Sequence, residues 1–224
     1  TALEAGAASV DLLIRRAEIP RINKSKGSGN PGLTHGHYGL PDQWKWRLRH
    51  YINSEQVPPP RGSTLRVSRH DNARFHVGCP IERIEVHSDV RGDTLHVHTA
   101  KGLFELDFLL LSTGFRVDFG ARPEFSVIAP QIRLWRDRFQ PPAGQDDQEL
   151  SDSPDLGPVF EFQEKTPGAC PGLSRVHCFC YPAALSHGTI SGDIPAISDG
   201  ARRLGQGIAA LLYQEDVETH FAAL

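Results

Sequence analysis

Methionine is absent from this chain of 224 residues, and cysteine occurs only four times, at Cys79, Cys170, Cys178 and Cys180. The missing methionine has no physical account. Four irregularly spaced cysteines are too few for a disulfide scaffold, so reduced thiols in a cytoplasmic protein are the expectation. No apolar run approaches the roughly 20 residues that a membrane helix needs, and no signal peptide opens the chain. Neither charge sign dominates: 24 Lys and Arg face 27 Asp and Glu, for a net charge of −3. No global field therefore favours nucleic acid. No C-x-x-C pair offers a redox-active dithiol of the disulfide-reductase kind, and no G-x-S-x-G lies on a strand–helix turn.

What is present reads as α/β. Thr1–Gly6 reads as the end of a helix closed by glycine. That start, without an initiator Met or an N-cap, leads us to expect upstream sequence. Ser9–Ile14 (SVDLLI) is a short, nearly continuous apolar run, the pattern of a strand buried on both faces in a parallel sheet. Residues 20–40 read as a long loop rich in Gly, Pro, Asn, Ser and Lys. Pro41–Asn53 predicts a helix with Trp44, Leu48 and Tyr51 or Ile52 on its core side and bases on its wet side. Strands are predicted at Ala73–Val77, Ile81–His87, Thr94–Thr99 and Leu103–Leu106, the last two joined by a Lys101-Gly102 turn. Phe108–Leu111 (FLLL) predicts another fully buried strand, and Arg175–Tyr181 a further one. Residues 140–172 carry five acidic side chains between Asp146 and Asp155 and lack apolar periodicity, so a solvated surface excursion is expected. Ile194–Tyr213 is the strongest helix pattern in the chain.

Three motifs carry chemistry. Arg15-Arg16 closes the first strand, where a dinucleotide fold meets the adenosine ribose. An arginine there suits the 2′-phosphate of NADPH by charge and forked hydrogen bonding, and Lys24 lies close downstream. The alternative is a solvated basic edge. Next, the apolar run ending in Ser112-Thr113-Gly114-Phe115 joins a strand to a small-residue pair that lets backbone approach a nucleotide. Last, Ser186-His187-Gly188 leads through Gly192-Asp193-Ile194-Pro195-Ala196 into the final helix, with Asp193 placed at or just before the N-cap and Pro195 in the first turn. Gly27-x-Gly29-x-x-Gly32 matches a phosphate-loop string, but follows no strand and contains Pro31, so it is rejected.

Taken in order, these motifs resemble the flavin monooxygenase-like group of FAD- and NAD(P)-binding oxidoreductases. The Thr113-Gly114-Phe115 segment is similar to the Ala-Thr-Gly-Tyr/Phe segment that returns the chain from the NADPH domain to the FAD domain. Ser112 stands here where alanine is usual. The Gly192-Asp193 segment resembles the one whose Asp bonds the ribityl chain and whose helix points at the flavin. The resemblance implies a C-terminal part of such a protein. Residues 1–111 would be the end of a Rossmann-like NAD(P)-binding domain, with a loop and helix insertion at 20–63 and a β-hairpin unit. Residues 112–224 would be the end of an FAD-binding domain, with the excursion at 140–172. It implies FAD and NADPH as cofactors, a small-molecule substrate, molecular oxygen as co-reactant, and cofactor contacts at Arg15, Arg16, Lys24, Thr113, Gly114, Phe115, Gly192, Asp193, Ile194 and Ala196. His187 is the candidate catalytic residue, from its position before the Gly-Asp pair. This part alone, lacking both glycine loops, is expected to be inactive. Its open sheet edges favour association, as in a homodimer, or instability.

Two other readings stay open: a flavin reductase or dehydrogenase without oxygenation, and a non-catalytic nucleotide-binding module. Metal binding is weakly supported. His35-Gly-His37 and His96-Val-His98 lack a third ligand at a supporting spacing, and His177-Cys178-Phe-Cys180 lacks a second pair. Trp44 and Trp46 among bases are read as helix packing rather than a nucleic-acid surface.

Overall fold

A computed structural model describes residues 2–24, 26–90, 92–194 and 196–224. The elements in chain order are β1 (Val10–Ile14), α1 (Pro31–Gly36), α2 (Asp42–Glu55), α3 (Arg61–Val67), β2 (Ala73–Val77), β3 (Ile81–Asp89), β4 (Gly92–Thr99), β5 (Gly102–Leu106), α4 (Gln148–Asp152), α5 (Ala184–His187), α6 (Ile197–Glu215) and α7 (Val217–Ala222). The α/β class expected from the sequence is the class observed. The chain forms two compact units, Thr1–Lys24 with Gln56–Gly114, and Ser25–Glu55 with Phe115–Leu224. No helix among the described residues is long and apolar enough to cross a membrane.

Among the described residues, the five strands all lie in the first unit. β1 and β2 pair in parallel from Val10↔Ala73 to Ile14↔Val77, the pairing that a continuous apolar strand favours. With one partner only, β1 is half-buried along its length rather than covered on both faces. β3, β4 and β5 form an antiparallel meander in that order. Its second turn is set by Gly102 at φ +116, a conformation that glycine reaches without steric cost. Thr99 closes the turn by donating its hydroxyl to the Gly102 carbonyl at 2.9 Å. The alternation in β4 puts Val97 and Thr99 inside, at 0% and 7% exposure.

One expectation fails in this unit, and a short helix for which no element was predicted, α3, spans Arg61–Val67. Asp107–Gly114 forms no strand, and Phe108 and Leu110 are 86% and 83% exposed. A strand exists only where a neighbour satisfies its backbone, and this segment belongs to neither sheet.

The second unit is helical and irregular. Its core is one cluster around Ile132, Leu156, Phe160, Phe162, Leu173 and Ile190, and another of Trp46, Trp135, Leu150 and Leu185. Leu156, Phe160 and Phe162 of the first and Leu150 of the second come from residues 140–172, so part of the acidic stretch is core rather than surface excursion. Its backbone is held by isolated bridges, Leu134↔Pro154, Leu156↔Phe162 and Glu161↔His177, rather than by strands. Such a path leaves no periodicity to read. The predicted strand at Arg175–Tyr181 is likewise a 3-10 turn followed by single bonds, among them Cys178 N–H to the Phe160 carbonyl at 2.8 Å.

Helix α2 forms where its pattern predicted, with Leu48 and Ile52 half-buried, but its most buried residues are not those expected. Trp44 and Tyr51 are exposed, while Lys45 and Trp46 are buried. Trp46 donates its indole N–H to the Gln145 carbonyl at 2.9 Å, which lets the ring be fully buried.

Candidate functional site

In the first unit, the arginine pair follows directly on β1. The parallel ladder runs past the strands' last paired residues: Cys79 N–H donates to the Ile14 carbonyl at 2.8 Å and Gly78 N–H to the Arg16 carbonyl at 2.5 Å. These bonds hold the Arg15-Arg16 backbone at the carboxyl end of β1, the side where open parallel sheets take their ligands. Arg15 is exposed and Arg16 half-buried. Beside them opens a cleft of about 510 Å³, lined by residues 17–21 and by Pro58, Pro59, Arg61, Thr64 and Val77. Arg21 and Arg61 add two guanidiniums to its walls, against Glu18. Neither was singled out in the sequence, because Arg61 reads there only as the residue after a run of prolines. Lys24 is exposed further along the same segment. Thr113 and Gly114 are exposed, with Gly114 at φ +90.

In the second unit, aromatic rings and buried bases gather around His187. This residue is 0% exposed. Its ring stacks on Phe160 with centroids 3.9 Å apart and on Tyr38 at 4.8 Å. Nε2 lies 3.0 Å from the Gly157 carbonyl, so it carries the donated proton, and Nδ1 is buried without a hydrogen-bond partner. Phe160 takes its place at φ +66, a strained conformation for an aromatic residue. Gly188 follows at φ +77, where a Cβ would meet the His37 ring at 3.0 Å. His37 is itself buried, with Nε2 at 3.0 Å from the Leu185 carbonyl.

Burial sets the charge states. It pushes His187 down to about 3, helped by the Arg203 charge and opposed by the Gly157 carbonyl. It pushes His37 down to about 4, with Arg49 and Lys45 acting in the same sense. Both imidazoles are neutral at physiological pH. Burial also lowers Lys45, Arg49 and Arg203 from their ordinary values and raises the Tyr38 phenol. Lys45 Nζ stands 4.9 Å from the Tyr38 centroid and the Arg203 guanidinium 4.8 Å, so two cations meet one ring. Carboxylates that oppose the desolvation of Arg49 include Asp193.

The structure thus separates the expected residues. His187 is held inside its unit, where its ring packs and its Nε2–H bonds backbone, and it meets no open surface there. Ser186 is equally enclosed, accepting from the Trp135 indole at 3.0 Å and donating to the Pro154 carbonyl at 3.1 Å. Gly192, Asp193 and Ile194 are exposed. The helix expected from Ile194, α6, starts at Ile197, and Ala196 is its N-cap. Asp193 is therefore not the cap; its carbonyl accepts from Ile197 N–H at 2.7 Å. Pro195 lies outside the described residues. Phe115 is exposed, with its ring 5.6 Å from that of Tyr181. Sequence reasoning missed Tyr38, Lys45 and Arg203, whose chain positions carry no motif. Among the described residues, no group of three or more His, Cys, Asp or Glu is placed to hold a metal.

Comparison with known proteins meets the expected resemblance: the chain is similar to part of a flavin-dependent hydroxylase. It is 30% identical over 215 residues, 96% of its length, to the FAD-dependent urate hydroxylase of Xanthomonas campestris pv. campestris, of which it spans 45%. The reduced form of ornithine hydroxylase from Pseudomonas aeruginosa aligns with 91% of the chain and 48% of its own, at 14% identity and a TM-score of 0.49. The chain therefore spans about half the length of either protein. No family model matches it.

Proposed function

We propose that this chain is part of an FAD-dependent oxidoreductase that takes hydride from NADPH and hydroxylates a small-molecule substrate with molecular oxygen. The observation that carries the reading is the similarity over 96% of the chain to a hydroxylase named for its FAD. In this reading the first unit is the NADPH-binding portion and the second the FAD-binding portion. The arginine pair at the end of β1, with Arg21 and Arg61 in the adjoining cleft, fits a phosphate dianion. Guanidinium forks match phosphate oxygens bidentately, at about 1.5–3 kcal/mol for each charged bond. Bound flavin would supply the redox chemistry. The chain's own part is to bind, to orient and to keep water out. Gly192, Asp193 and Ile194, exposed just before the helix, would meet it, and the cationic Tyr38 face suits an electron-rich ring or an anion. His187 acts here as a positioning residue for Tyr38, since its own ring is enclosed.

The test is an absorbance spectrum of the full-length purified protein before and after each reductant. A yellow protein bleached by NADPH and far more slowly by NADH is the expected result. A colourless protein, or equal rates with both nucleotides, would overturn the reading. Oxygen uptake matched by hydroxylated product separates a hydroxylase from a flavin reductase.

A further inference from the structure

We propose that Cys178 and Cys180 form a peroxide-responsive dithiol, a modification site in which Cys180 attacks and Cys178 resolves. The proposal does not depend on the flavin reading. The two sulfurs are 3.7 Å apart. Cys180 has extended backbone, at φ −157 and ψ −171, and residues two apart on an extended chain share a face. Their surroundings differ as the two roles require. Cys180 is exposed, whereas Cys178 is 5% exposed and belongs to the apolar cluster of Leu156, Phe160 and Leu173. The hydrogen bond from Cys178 lowers the Cys180 thiol to about 7, against its partial burial and with help from the Arg122 charge. The same bond, and then burial, push the Cys178 thiol up. The surface sulfur is thus the thiolate and the inner one keeps its proton. Among the described residues, no group of three or more His, Cys, Asp or Glu is placed to hold a metal at the pair.

The oxidant is hydrogen peroxide. The Cys180 thiolate attacks one peroxide oxygen; the S–O bond forms as the O–O bond breaks, and the departing hydroxide takes up the proton that Cys180 had released. The product is a sulfenic acid. The Cys178 sulfur then attacks the sulfenic sulfur. An S–S bond forms, the S–O bond breaks, and the hydroxyl leaves as water with the Cys178 proton. Two thiols and one peroxide give one disulfide and two waters, with one electron withdrawn from each sulfur. The bridge would sit one hydrogen bond from Phe160, through Cys178 N–H, and so beside the ring stacked on His187.

The test uses the full-length protein, reduced, freed of reductant and treated with a small excess of hydrogen peroxide, then alkylated, digested and weighed. The peptide carrying both cysteines should be recovered unalkylated and lighter by two hydrogens, and dithiothreitol should restore it. In Cys178→Ser, Cys180 should stop at the sulfenic acid and be captured by dimedone. In Cys180→Ser, the reaction of Cys178 with peroxide should slow at least roughly tenfold. The proposal is overturned if the wild-type peptide keeps both thiols, if Cys180 passes to sulfinic acid without a bridged form, or if the bridge joins Cys170 or a second chain. Wild-type mapping decides the matter even where a variant fails to fold.

Discussion

The Nε2 atom of His187 lies 3.0 Å from the carbonyl oxygen of Gly157, and burial keeps the imidazole neutral although this bond favours the charged form. His37, in its own buried place, is neutral for the same reason. Folded, the two take up protons near pH 3 and pH 4, against 6.5 for an exposed histidine. In the unfolded chain both are protonated below pH 6.5. Their contribution to stability is therefore complete above pH 6.5 and is lost as pH falls from there to their folded values. The loss is about 1.4 kcal/mol per pH unit for each histidine, hence about 2 kcal/mol each at pH 5. Urea midpoints at pH 7 and pH 5 measure it. The drop should be roughly halved in His187→Gln, and equal midpoints for the wild type would refute the assignment.

Helix α6 offers a pair of glycines with opposite expectations. A Cβ on Gly200 would stand 2.0 Å from the Ile190 carbonyl oxygen, whereas one on Gly205 meets nothing within 4 Å. Gly200→Ala should cost about 2–3 kcal/mol, since backbone cannot yield as a side chain can. Gly205→Ala should add about 0.5–1 kcal/mol by restricting the unfolded chain. Thermal unfolding of the two variants should shift in opposite directions. A shift of the same sign would mean that the helix docks differently.

Asp155 is 1% exposed and accepts from Arg133 at 2.7 Å and Arg138 at 2.5 Å. Arg138 also grips Asp42 of α2. Asp155→Ala leaves Arg133 without this carboxylate and Arg138 with Asp42 alone, and should cost about 2–3 kcal/mol, less than a fully buried pair because both guanidiniums are about a third exposed. Denaturant unfolding checks it, and a loss under about 1 kcal/mol would show that water replaces the carboxylate.

The arginine pair is tested by its selectivity. Arg16→Ala should raise KM for NADPH roughly tenfold, with kcat and the KM for NADH unchanged, because only the extra phosphate loses a partner. Arg15→Ala should act in the same direction. Equal losses with both nucleotides would instead indicate damage to the β1–β2 ladder.

Local chemistry was legible without coordinates. The apolar run of β1, the alternation of β4 and the Lys101-Gly102 turn each announced their element, because strand and turn preferences act over a few residues. The arginine pair at a strand end was legible for the same reason. Phe108–Leu111 was misleading, since apolarity favours a buried strand but cannot supply the neighbour whose backbone makes one. Residues 140–172 misled in the other sense. Their acidic side chains read as solvated, yet Asp155 is buried by two arginines and Leu150, Phe160 and Phe162 reach the core from an irregular path.

By itself, the sequence determined the α/β class, the places of β1 to β5 along the chain, the basic end of β1 and the resemblance to the flavin monooxygenase-like group, all of which follow from short-range pattern. Only the tertiary structure decided that α2 buries Lys45 and Trp46 rather than Trp44, that His187 is enclosed, and that Tyr38 and Arg203 stand over the same cluster. Those outcomes depend on which distant side chains compete for one interior space, and that competition leaves no periodic trace along the chain.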